Sequence, residues 1–127
     1  MKEIVEKLKE QEVVMANEKG PFELYALFLR EDAPDKWDLV VAAEWINKNK
    51  EASFKYIAEK VQKSLSKEEL LKLSRIVLID ETNPSLEVLH RAMGVEHGIA
   101  EIQDSNFFGI QIKHAYLITS RRRSKKP

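Results

Sequence analysis

The sequence predicts a single α+β domain: a sheet of about five mostly antiparallel strands, with three or four helices packed on it. Three observations support this. The 127 residues match the size of one domain. Apolar residues recur at helical spacing in some segments and alternate along others. No Gly/Ser-rich or Pro-rich linker divides the chain. The predicted domain therefore covers residues 1–120, and a basic tail at 121–127 is expected to be flexible.

The first half of the chain predicts a helix, a hairpin and a second helix. A patchy apolar stripe marks a helix over residues 2–17, which the following Gly-Pro pair ends. Two apolar runs, at 22–31 and 37–46, predict antiparallel strands, because the residues between them at 32–35 are typical of turns. Apolar residues at helical spacing over 50–65 predict the clearest helix of the chain.

The second half predicts a short helix, a strand, a helix and a hairpin. A Ser-x-x-Glu capping box starts the short helix at residue 66, and the β-rich run 75–80 follows it. An Asn-Pro start and a Gly end delimit a helix over 84–93. Strands at 96–102 and 107–120 then flank a polar turn, and a bulge is expected at Gly109. The predicted element order is αββα(α)βαββ.

Composition excludes several classes of function. The chain has no cysteine, which rules out disulfides, thiolate catalysis and cysteine-bound zinc. No dinucleotide, P-loop, serine-hydrolase or zincin motif is present, so we predict no cofactor and no bound metal. No apolar run reaches the ~20 residues that a membrane helix needs, and the first residues do not resemble a secretory signal. We therefore expect a cytoplasmic protein without membrane contact.

The formal net charge is zero, but the charge is unevenly distributed. The tail carries five cations and no acid: Arg121, Arg122, Arg123, Lys125 and Lys126. Removing these five from the 21 lysines and arginines leaves 16 cations against 21 acids in the rest of the chain. Such a tail is typical of sequence-independent contact with nucleic-acid phosphates. Alternatively it folds onto the acidic loop at residues 30–38, or it only solubilises the terminus.

Three ionisable residues fall on faces that otherwise read as buried. Glu44 lies inside the apolar run of the second strand, His90 lies among the leucines of the 84–93 helix, and His114 lies between Ile112 and Tyr116. If they converge, a carboxylate and two imidazoles are able to serve a small hydrolytic or metal-assisted enzyme. Alternatively His90 lies at the edge of its helix stripe with its polar end in water, and His114 hydrogen-bonds a neighbouring strand or Tyr116. Glu44 then marks the place where its strand turns outward. His97 has no apolar pattern around it and is expected to be exposed.

A second enzyme hypothesis is a Mg²⁺ nuclease. Glu101 or Asp104 precedes Gln111 and Lys113 across a predicted hairpin, which resembles an acid followed by an acid-x-lysine pair. Glutamine is a poorer metal ligand than glutamate. The simpler interpretation is that Gln111 and Lys113 form the solvent face of an alternating strand.

Taken together, the sequence favours a binding or accessory module over an enzyme. Its patterned last strand and apolar hairpin are compatible with a homodimer. Trp37 and Trp45 would share one face of an unbroken strand, where we expect them to serve the core or an interface. The basic tail at 121–127 makes nucleic acid a candidate partner.

Overall fold

The structure is a computed structural model, and it describes residues 1–123. Its elements follow one another in the order α1 (Lys2–Lys19), β1 (Leu24–Arg30), β2 (Trp37–Ala42), α2 (Glu44–Lys48), α3 (Lys50–Ser64), α4 (Lys67–Leu70), β3 (Leu73–Leu78), α5 (Pro84–Ala92), β4 (Ala100–Phe107) and β5 (Ile110–Ser120). This order confirms the predicted one, with α2 as an additional short helix.

The five strands form one open sheet in the order β3-β2-β1-β5-β4. Three neighbouring pairs are antiparallel, and only β2 and β3 run parallel. The parallel pair needs a long crossover, which α2, α3 and α4 supply. The predicted α+β domain with a mostly antiparallel sheet is therefore confirmed.

Helices cover both faces of the sheet, but unequally. The first three helices pack on one face, which we call the α1 face, through Ile4, Val5, Leu8, Met15, Ile46, Ile57 and Val61. The opposite face, the α5 face, is covered by Leu86 and Leu89 of α5 and by Phe107 next to the β4–β5 turn. Fully burying one such side chain contributes about 1.5–3 kcal/mol, so most of the stabilisation comes from these two apolar layers.

Helix starts follow the capping signals in the sequence. The Asn49 side chain accepts a hydrogen bond from the backbone of Ala52 at the start of α3. Ser66 and Glu69 form the complete capping box that starts α4. Asn83 caps α5 by accepting from the amide of Ser85, and Pro84 occupies the first turn, where its missing N–H costs nothing.

The prediction that the second strand runs to residue 46 is wrong. β2 ends at Ala42, and Glu44 starts α2, where an acid in the first turn is favoured by the helix dipole. The chain turns there because Trp45 packs on Phe22 and donates its indole N–H to the carbonyl of Gly20 (2.9 Å). Trp37 and Trp45 therefore do not share a strand face, although both contact the core of the α1 face.

The last hairpin also differs from expectation. β4 extends to Phe107, and a two-residue turn of Phe108 and Gly109 with positive φ at both positions (57° and 71°) joins it to β5. Gly109 therefore belongs to the turn and not to a bulge. The register of β1 against β5 shifts between Leu29 and Arg30, which pair with His114 and Ile112. This shift places Ile112 on the α5 face and His114 on the opposite one.

Candidate functional site

Ionisable side chains gather at one end of the sheet, which we call the carboxyl end because the parallel strands β2 and β3 finish there. β1 begins at this end and β5 finishes there, since Leu24 pairs with both Ala42 and Ser120. In open α/β sheets, ligands commonly bind outside the carboxyl ends of the parallel strands. This end is therefore where a ligand site is expected.

A cleft of about 480 Å³, the α5 cleft, opens at the carboxyl end beside α5. Most of its lining is polar or charged: Glu23, Glu81, Thr82, Asn83, Glu87, His90, Arg122 and Arg123, together with Pro84 and Leu86. The loop at residues 80–83 is held by Asp80, which accepts hydrogen bonds from the backbone and the hydroxyl of Thr82. Carboxylates and guanidinium groups thus share one open cavity.

His90 lies half-buried in this cleft. Its Nε2 is 2.8 Å from the backbone oxygen of Glu23, and a carbonyl only accepts, so Nε2 carries the hydrogen. Burial lowers the pKa of His90, and the nearby Arg122 and Arg123 lower it further, while the bond to Glu23 opposes the decrease. At neutral pH the imidazole is therefore uncharged and presents a lone pair at Nδ1.

A smaller cleft of about 220 Å³, the Trp45 cleft, lies beside the first. It is lined by Lys19 and Gly20 at the end of α1, by Pro21, Glu23, Glu44, Trp45 and Lys48, and by Arg123. Glu44 is exposed in it. Because Glu23 and Arg123 line both clefts, the two cavities are neighbours at the carboxyl end.

The described part of the basic tail lies against the domain. Arg121 and Arg123 contact the two carboxylate oxygens of Glu96, at 2.7 and 2.5 Å. Arg123 also donates to the backbone oxygen of Phe22, and Arg122 lies 4.0 Å from Glu87. Lys125 and Lys126 lie outside the described residues.

The acidic loop that the sequence suggested as the tail's docking partner has a different role. Asp38 is almost fully buried on the α5 face and contacts Arg30 (3.0 Å) and Arg75 (3.3 Å). Arg30 also lies 3.4 Å from Asp32. Arginines of the strands therefore pair with this loop, whereas Arg121 to Arg123 contact Glu96 and Glu87.

The structure does not bring Glu44, His90 and His114 together. Glu44 and His90 line adjacent clefts at the carboxyl end. His114 lies across from Leu29, at the other end of β1, and its ring packs against Tyr116 and the edge-on ring of Trp37 on the α1 face. Its Nε2 is 3.6 Å from Glu101. Among residues 1–123, no group of three or more acids and histidines is arranged to hold a metal ion.

The residues of the nuclease hypothesis lie on the β4–β5 hairpin without forming a metal centre. Glu101 is half-exposed and contacts His114. Gln111 and Lys113 are exposed, as expected for the solvent side of a strand, and Gln111 pairs with Asn106. Asp104 has a positive φ of 48°, which interrupts the regular strand. Within residues 1–123, the acids and histidines of this hairpin form no group that could hold a metal ion.

One buried polar cluster was missed by the sequence reasoning. Glu12 of α1 is fully buried and accepts hydrogen bonds from His97 (Nδ1, 2.5 Å) and from the hydroxyl of Thr119 (2.8 Å). His97 adopts a positive φ of 51°, and its side chain is 40% exposed. Its own amide donates to the Thr119 hydroxyl (3.1 Å). The sequence did contain one signal for this cluster. Glu12 lies four residues after Leu8, on the apolar stripe of α1, where a charged residue is out of place.

Tyr25 adds a second buried polar group beside this cluster. Its hydroxyl has no hydrogen-bond partner among the described residues. Burial raises the pKa of Tyr25, and the nearby carboxylate of Glu12 raises it further. Tyr25 therefore stays neutral, as a hydroxyl facing the core.

Comparison with known proteins gave no match: no family model fits the chain, and no curated protein or solved structure matches it.

Proposed function

We propose that this protein is a binding module without catalytic activity of its own, and that its basic C-terminal segment contacts nucleic acid. The residues proposed to make contact are Arg121, Arg122, Arg123, Lys125 and Lys126. An enzyme using Glu44, His90 and His114 is not favoured, because His114 lies on another face from His90. The proposal assigns the protein to the cytoplasm, and no helix of the described chain is long and apolar enough to span a membrane.

The supporting observation is that cations from three separate segments meet at the carboxyl end. Lys19 ends α1, Lys48 ends α2, and Arg122 and Arg123 follow β5, yet all four line the two neighbouring clefts. Trp45 lies among them with its ring half-buried. Lysines and arginines spread along a surface are suited to phosphate contacts that position a nucleic acid without reading its sequence.

Acidic side chains at the same end limit the expected affinity. Glu23, Glu44, Glu81 and Glu87 line the same two clefts as the cations. These carboxylates repel phosphate, as does the acidic body of the domain. We therefore expect weak binding that depends on salt and is insensitive to base sequence.

The test is fluorescence anisotropy of labelled single- and double-stranded oligonucleotides, titrated at several salt concentrations. We expect a slope of log affinity against log salt of about −4.5 for double strands and about −3.5 for single strands if all five cations bind. A truncation after Ser120 should lose this binding and keep the fold. Lys48→Gln should weaken binding, whereas Lys72→Gln, which lies at the opposite end of the sheet, should not. Flat titrations of the full chain at low salt would overturn the proposal.

We also propose that the protein self-associates through β4. The strands that suggested a homodimer, β1, β2 and β5, are interior strands of the sheet, whereas β4 is an outer strand. Next to β4 runs a groove of about 560 Å³ that contains Val5, Ile99 and Tyr116, with Ile99 41% exposed. The other residues that line the groove are charged: Lys2, Glu3, Glu6, Lys7 and Glu101. An outer strand beside a groove with apolar side chains is a common site for pairing with a second copy.

Sedimentation velocity at rising protein concentration tests this self-association. A concentration-dependent dimer should be lost in Ile99→Asp, which puts a charge beside β4. Val88→Asp is the matched control, because Val88 is exposed on α5 and does not line this groove. A monomer at every concentration would rule the dimer out.

A further inference from the structure

Glu96 bridges two arginines of the C-terminal segment. One of its carboxylate oxygens contacts the guanidinium of Arg121 and the other contacts that of Arg123. The hydrogen bond from Arg123 lowers the pKa of Glu96, so the carboxylate is charged at neutral pH. One anion is therefore held between two guanidinium groups.

The carboxylate is fixed to the domain by the segment that carries it. Val95 exchanges two backbone hydrogen bonds with Ser120 (3.1 and 2.7 Å), and Gly98 donates to Ile118 (3.0 Å). Between them, His97 contacts the buried Glu12. Glu96 thus sits on a segment tied to β5 and α1 on both sides, whereas the arginines extend beyond the end of β5.

Carboxylate and phosphate are recognised by guanidinium groups in the same way, through short charge-assisted hydrogen bonds to two oxygens. A pair of arginines that encloses a carboxylate is thus also able to hold a phosphate. Arg123 donates as well to the Phe22 carbonyl, so its guanidinium is already positioned at the carboxyl end.

We propose that Arg121 and Arg123 form a phosphate-binding pair that Glu96 occupies as an internal ligand, and that a phosphate group binds there by displacing Glu96. This inference rests on the proposed function, because it names the part of the basic segment that takes a phosphate. Glu96 then acts as a competitor built into the fold, and the affinity for phosphate depends on how firmly the segment at residues 95–98 holds it.

The experiment compares wild type with Glu96→Gln and Glu96→Asp, using two probes. Inorganic phosphate is followed by NMR at the Arg121 and Arg123 Nε–H groups, and a labelled oligonucleotide is followed by anisotropy. Losing the charge in Glu96→Gln should tighten both interactions by about two- to tenfold, as expected for two partly exposed ion pairs. Glu96→Asp keeps the charge on a shorter side chain that cannot bridge both arginines, and should give a smaller gain.

Two controls separate this effect from net charge and from folding. Glu68→Gln makes the same charge change on α4, which lies just before the start of β3 and therefore at the opposite end of the sheet. This variant should leave both affinities unchanged. The double variant Arg121→Gln/Arg123→Gln should lose the gain in a Glu96→Gln background. Thermal unfolding of each variant checks that the domain is intact.

Each outcome decides between the two proposals. Equal binding by wild type, Glu96→Gln and Glu68→Gln overturns the internal-ligand inference and leaves nucleic-acid binding in place. Phosphate binding that tightens in Glu96→Gln while oligonucleotides fail to bind supports the inference and overturns the proposed function. If neither phosphate nor the oligonucleotide binds to wild type or to Glu96→Gln, both proposals are wrong.

Discussion

Two of the buried carboxylates among the described residues, Asp38 and Glu12, lie on opposite faces of the sheet and are held differently. On the α5 face, Asp38 is 3% exposed and contacts the guanidinium groups of Arg30 and Arg75. On the α1 face, Glu12 is fully buried and is held by a hydroxyl and an imidazole, from Thr119 and His97. Arginine stays charged at any pH at which proteins fold, so Asp38 has permanent counter-charges and Glu12 does not.

This difference indicates different roles for the two carboxylates. Asp38 joins side chains of β1, β2 and β3, so its contacts lie within the sheet. Glu12 joins α1 to β5 and to the segment that carries Glu96, so it links a helix to the carboxyl end. Burying a carboxylate without a permanent cation costs free energy of folding. We infer that this cost is tolerated because Glu12 fixes the position of the segment at residues 95–98, which carries Glu96.

The strongest test of the comparison removes each carboxylate in turn. Glu12→Ala should lower the free energy of unfolding by about 3 kcal/mol, because it leaves a cavity and a buried Thr119 hydroxyl without its acceptor. Asp38→Ala should cost less, about 1–2 kcal/mol, because Arg75 is half-exposed and can turn into water. Urea unfolding followed by tryptophan fluorescence measures both. An Asp38→Ala loss equal to or larger than the Glu12→Ala loss would contradict this ranking.

The unequal helical cover of the two faces can be tested at the helix caps. Asn83→Ala and Asn49→Ala each remove an N-cap and should each cost about 1 kcal/mol. Asn83→Ala should speed hydrogen exchange of the sheet amides beneath α5, because α5 is the one described helix packed on that face. Asn49→Ala should not speed exchange beneath α3, because α1 also covers the face on which α3 packs. Equal exchange rates in the two variants would show that α5 is not needed to protect its face.

The smallest expected effect concerns pH. The folded protein holds the pKa of His90 below its usual value of 6.5, so the unfolded chain takes up a proton first as the pH falls. The free energy of unfolding should therefore decrease as the pH falls from 6.5 towards the lowered pKa of folded His90. Above pH 6.5 His90 should not change the free energy of unfolding. His90→Asn should remove this part of the pH dependence in urea unfolding at pH 5 to 8. An unchanged pH profile would show that His90 protonates equally in both states.

The elements with strong local signals were predictable from the sequence. The caps of α4 and α5, the apolar stripe of α1 and the hairpin of β1 and β2 each depend on residues close together in the chain. The start of α2 was missed because Glu44 follows a strand-like apolar run, and only packing of Trp45 on Phe22 and its bond to Gly20 turn the chain there.

The candidate site was less predictable, for a physical reason. Glu12 and His97 are 85 positions apart in the chain, and neither residue alone indicates the other. The face of His114 depends on the register shift near Lys113, which no alternation pattern contains. By contrast, the charge of Arg121 to Arg123 was evident in the sequence, but their partner Glu96 emerged only from the fold.

The pairing of β1 with β5 has a consequence for how the chain folds during synthesis. Residue 24 pairs with residue 120, so the central strand β1 must wait for the last strand before both its sides are covered. Contacts so distant in sequence slow folding, and the edge of β1 that pairs with β5 keeps its backbone hydrogen-bonding groups open while the ribosome adds β3, α5 and β4. A ribosome-bound chain that stops before β5 should therefore be prone to aggregation and to chaperone capture, whereas one that includes β5 should resist protease.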